Sequence, residues 1–221
     1  MAVAFTAHAE GAQAIFCYIA DILGATETAK QFKPYLEQHR DAEYFFKQYK
    51  ELIDEGFKTK RIKVDKSKPS IINYIKSNKQ WFISSLRVAE YILVNTGKIN
   101  EQFAKIENID WQDLYYVRGD KEVMATMAGL YKLANATYKK ANKEKAFGDV
   151  NKWSPADMYF SSQLSKTHFK KLLNDYEKSE GLDFAVLNEH IANKIDSADL
   201  LPLSLKMVSD TVKLEKVNFD R

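Results

Sequence analysis

Residues 145–163 read KAFGDVNKWSPADMYFSSQ, and here the chain changes character. Gly148 and Pro155 punctuate a loop, and Met158, Tyr159 and Phe160 form a short apolar run that reads as a strand. Most of what precedes this stretch is patterned for helices. The break predicts one domain over residues 1–221, with a helical part at 1–146 and a strand-and-helix part at 147–221. The fold class is then α+β, predominantly α-helical, with a helical N-terminal two thirds packed on a small C-terminal β-sheet.

Upstream, Ile15, Phe16, Ile19, Ile22 and Leu23 recur at helical spacing over Glu10–Leu23 before Gly24 ends the run. A second helix is predicted from Thr26 or Thr28 to Ile53, with Pro34 as a kink and Gly56 as terminator. Phe57 to Lys68 follows as a loop or short extended piece. Pro69 opens a long helix closed by Gly97, a short helix lies near Asn100–Glu107, and a further one runs from about Asp120 to Lys143. Downstream, helices are predicted at about Ser165–Lys178 and Asp183–Ile195. The runs LLPLSLKMV (200–208) and TVKLEKVNF (211–219) read as a β-hairpin, which confines strands to the last third.

Composition narrows the classes. Only 8 Gly and 4 Pro in 221 residues leave little punctuation for a many-stranded barrel. The single cysteine, Cys17, forbids an internal disulfide and a four-cysteine zinc site, and fits a reducing cytosol. Without a basic segment leading into an apolar run, or any long uncharged stretch, the reading expects neither export nor membrane spanning. His8, His39, His168 and His190 lack ligand spacing, and no Walker loop, Gly-x-Gly-x-x-Gly or Gly-x-Ser-x-Gly is present.

Charge is unevenly spread. Residues 1–57 carry 5 basic and 9 acidic groups, residues 58–152 carry 19 and 10, and residues 153–221 carry 9 and 11. The densest basic run is Lys58, Lys60, Arg61, Lys63, Lys66 and Lys68, a candidate nucleic-acid contact, with a second cluster at Lys139, Lys140, Lys143 and Lys145. Such clusters neutralise phosphates and release counterions, and they also occur as plain solvated surface. The aromatic groups Tyr44-Phe45-Phe46 and Tyr115-Tyr116 suit a core more often than a base-stacking platform.

Two pieces carry chemistry: Trp153-Ser154-Pro155-Ala156-Asp157-Met158-Tyr159-Phe160 and Leu203-Ser204-Leu205-Lys206. The first sets an acid at the mouth of a strand, and the second sets a lysine in one. Pro155-Ala156-Asp157 followed by Ser204-Leu205-Lys206 resembles the PD-(D/E)xK core of restriction-endonuclease-like proteins, and the surrounding wording is similar to uncharacterised tailed-phage proteins. The resemblance covers roughly the last 75 residues and the first helix. It implies that Asp157 would hold Mg²⁺, that Lys206 would assist the attacking water, and that Glu10 on the first helix would complete the set. Ser204 stands where the family carries an acid, which implies a reduced site. Outside the resemblance, Asp157 reads as a turn cap, Lys206 as a guard on an edge strand, and Glu10 as a first-turn acid favoured by the helix dipole.

The expectation is a phage virion structural or DNA-associated protein with a reduced nuclease-like core, present in the host cytoplasm and the virion. Its partners would be DNA or other phage structural subunits within an oligomer or assembly, without a membrane and without a cofactor. The alternatives are an active Mg²⁺-dependent nuclease using Asp157, Lys206 and Glu10, and a host-directed inhibitor that occupies a nucleic-acid-binding groove.

Overall fold

The computed structural model describes residues 2–38, 41–94, 114–117, 121–153, 156–162, 171, 174–176, 178, 183–196, 200–208 and 211–212. Eight helices are defined in them: α1 (Ala2–Leu36), α2 (Ala42–Gln48), α3 (Lys50–Lys58), α4 (Lys68–Ser77), α5 (Lys79–Val94), α6 (Lys121–Asn142), α7 (Val150–Trp153) and α8 (Phe184–Asp196). The strands are β1 (Ile62–Lys63), β2 (Leu114–Val117), β3 (Met158–Ser162) and β4 (Leu200–Leu203). The chain is therefore mainly helical with one small sheet, as its patterning predicts.

The sheet has the order β1-β2-β3-β4, with β1 parallel to β2 and the other two pairs antiparallel. Strands are not confined to the last third, since β1 and β2 lie before it. Of the predicted C-terminal hairpin, the first run supplies β4, which pairs with β3, and its residues 204–208 leave the ladder. The second run falls largely outside the described residues. So do Gly97, the predicted helix at 100–107, Pro155 and most of that at 165–178.

Side-chain alternation along β3 explains the layering. Met158 and Phe160 enter a core with α1 to α5, whereas Tyr159 enters a second core with Met127, Leu130 and Ala134 of α6, Trp153 of α7, and Leu187 and Ile191 of α8. Leu201 and Leu200 of β4 divide the same way. A period-2 strand apolar on both faces belongs between two layers. Here those layers are helical, one on each face of the sheet.

The larger core is built on α1, which packs on α3, α4 and α5. Phe16, Phe32, Tyr35, Phe45 and Phe82 are fully or almost fully buried there, with Phe16 stacked on Phe45 at 4.9 Å and Phe82 within 5.8 Å. The Tyr44-Phe45-Phe46 group is thus mostly core, with Tyr44 exposed. Gly24 ends the first helical run as predicted: its φ of 74° and ψ of 167° are not helical, so α1 is two helices joined at a kink, the second continuing through Pro34. The predicted second helix is divided, with α2 starting at an Asp41 cap and meeting α3 at Tyr49. Gly56 lies inside α3, where a Cβ would meet Ile62 at 2.6 Å and the Tyr18 ring at 2.7 Å. It permits close approach and terminates nothing. The long segment from Pro69 is likewise divided at Asn78, and Ser67 caps α4 by accepting the Ser70 N–H.

Candidate functional site

Asp157 precedes β3 by one residue, opposite the end of β4. Its N–H donates to the Leu203 carbonyl at 2.8 Å, and its Oδ2 accepts the Leu205 N–H at 2.7 Å and the Ser204 hydroxyl at 3.1 Å. The two motifs, 47 residues apart, meet as neighbouring strand ends. Local chemistry explains the clasp: β4 stops after Leu203, which frees backbone groups, and a carboxylate two hydrogen bonds deep replaces the lost ladder.

Lys206 follows on the exposed side and forms no ion pair with Asp157 among the described residues. The segment beyond it is held differently, with the Val208 N–H donating to the Ser84 hydroxyl of α5 at 2.9 Å and Leu205 and Val208 packed on the larger core. Glu10 is not a first-turn residue, because α1 begins at Ala2. It is 3% exposed, on the interior stripe of α1 that also carries Gln13, Cys17 and Asp21. Gln13 donates to the Cys17 sulfur and to the Ser85 carbonyl, and burial raises the Cys17 thiol to about 12, so it stays protonated.

The donor set around Asp157 does not suit Mg²⁺. One carboxylate oxygen is engaged by two donors, and the position across from it is a hydroxyl rather than a second acid. Among the described residues, no three His, Cys, Asp or Glu side chains come together in a way that would hold a metal.

The basic run at 58–68 is largely compensated. Lys58 meets Glu55 at 3.6 Å, Lys66 meets Asp65 at 3.9 Å, and Lys68 pairs with Asp54, whose carboxyl is held below its ordinary value mainly by the hydrogen bonds from Lys68 and Lys50. Arg61 points inward, its guanidinium 2.7 Å from the fully buried Asp21 carboxylate and over the Tyr18 ring. Lys60 is exposed and Lys63 half-buried beside it in β1. Sequence reasoning missed Ser204 as the partner of Asp157 and Asp21 as the partner of Arg61. An acid on the apolar face of a predicted helix was the available signal for Asp21.

No family model matches the chain, and comparison with characterised proteins and with solved structures finds no match. None of the described helices is long and apolar enough to cross a membrane.

Proposed function

We propose that the chain is a DNA-associated component of a tailed phage, in the virion or alongside the genome, built on a nuclease-like strand pair whose cutting site is reduced. The observation that carries this reading is the contact of Asp157 with Ser204 and Leu205 across β3 and β4. An acid at position 204 would set two carboxylates about 3 Å apart and require a cation between them. Serine removes that requirement, and its hydroxyl donates to the Asp157 carboxylate instead. The strand pair is kept while the chemistry is dropped, which a fold tolerates.

The test is incubation with supercoiled plasmid and Mg²⁺ or Mn²⁺, using the wild type, Asp157→Ala, Lys206→Ala and Ser204→Glu. The expected result is no cutting by the wild type, salt-dependent DNA retention, and a melting temperature that rises with Mg²⁺ only in Ser204→Glu. Metal-dependent cutting lost in both Asp157→Ala and Lys206→Ala overturns the proposal in favour of an active nuclease. A monomer that neither cuts nor retains DNA overturns it in favour of an inhibitor of a host protein.

A further inference from the structure

We infer that the nucleic-acid backbone is met at the C-terminal end of α6 and the turn after it, by Lys139, Lys140, Lys143 and Lys145, and not by the denser run at 58–68. The inference rests on the DNA-associated reading and assigns it a surface. The two clusters differ in what surrounds them. In the first, Lys58, Arg61, Lys66 and Lys68 each face a carboxylate. In the second, all four lysines are exposed, and among the described residues none is in an ion pair. Glu144 is the sole acid between Tyr138 and Gly148. Only uncompensated cations release phosphate counterions without first breaking a pair.

Lys139 and Lys140 occupy the last turn of α6, where the helix dipole favours cations in any protein. Lys143 and Lys145 lie beyond the helix, and that explanation does not reach them. Their turn is fixed from beneath. Asn135, 7% exposed, accepts the Ala146 N–H at 3.0 Å and donates to the Phe147 carbonyl at 3.3 Å, and the Tyr131 hydroxyl donates to the same carbonyl at 2.7 Å. A turn held this way presents its charges with little freedom left to lose on binding. Lys143 adopts φ of 62°, the left-handed conformation where glycine is usual after a helix, as Lys60 does at 60° after α3, so this feature does not separate the two clusters. Exposed Lys132 extends the surface back along α6 by about 12 Å from Lys140, enough to reach a further phosphate of a duplex.

The test is the anisotropy of a labelled DNA duplex titrated across a salt series. The proteins are the wild type, a variant with all four α6-end lysines changed to Gln, the same four changed to Arg, and a comparator with Lys58, Lys60, Lys66 and Lys68 changed to Gln. The expected result is a Gln variant weakened at least about tenfold, with a log–log salt slope shallower by roughly 3, and Arg and comparator variants close to wild type. Lys143→Gly should lower the slope by about 1 while raising the melting temperature, a pairing that a purely structural lysine does not produce. Duplex retention unchanged in the four-Gln variant, or lost in the comparator, overturns the placement and leaves the DNA-associated reading standing. A wild type that binds no duplex, or binds polyglutamate instead, overturns both. Unchanged melting of the Gln, Arg and comparator variants separates lost contacts from lost folding.

Discussion

Glu90 registers the layer in which it sits. It is half-buried on α5, and loss of solvent, helped by the negative charge of Glu37, pushes its carboxyl above the ordinary value of 4.5. The native state therefore holds this proton more tightly than the unfolded chain does. The penalty is absent below pH 4.5, where both states are protonated, and complete once pH exceeds the raised folded value, so stability falls as pH rises through that window. Glu90→Gln is expected to raise the denaturation midpoint at pH 7 and to leave it unchanged at acid pH, a difference that urea titrations at several pH values will resolve. The Asp21–Arg61 pair illustrates the opposite case of a buried charge matched by its partner, where removing one member strands the other.

At the scale of elements, the Asp157 clasp substitutes for ladder bonds that β4 no longer makes. Asp157→Ala should cost about 1–3 kcal/mol by leaving the Leu205 N–H without its acceptor, with Asp157→Asn intermediate, as measured by chemical denaturation. Most helices were legible because their signal is local: the apolar spacing of Glu10–Leu23 lies within α1, that of Asp120–Lys143 matches α6, and that of Asp183–Ile195 matches α8 within a residue or two. Their ends were partly so: Gly24 breaks the helical backbone within α1 as its place after the apolar run predicts, whereas Gly56 serves tertiary geometry by letting Tyr18 and Ile62 close in on α3. β1 was legible as the short extended piece expected within Phe57–Lys68, from the alternation of Arg61, Ile62, Lys63 and Val64; β2 was hidden, because Leu114–Val117 is a strand by virtue of its partners on either side. Of the candidate site, the meeting of the two motifs was legible from an acid and a lysine in awkward positions. The identity of the contact was not, because it depends on where β4 stops.

The whole molecule is held together by β3. Its described side chains alternate between two helical cores, as do those of β4. Neither core should then melt alone, and unfolding followed by near-ultraviolet and far-ultraviolet circular dichroism is expected to give one coincident transition. Phe160→Ala, on the larger core, should lower stability by about 3–5 kcal/mol and broaden nothing, whereas separate transitions would show that the layers are independent.

The rims of the sheet bear on how copies of the chain meet. Among the described residues, one outer strand is only two residues long, and the other carries Pro202, which has no N–H to offer an incoming backbone. Among the described residues, neither rim is a ready template for β-augmentation. At these two described rims, a second copy meets little free backbone to pair with, which works against the cross-β route to aggregation there.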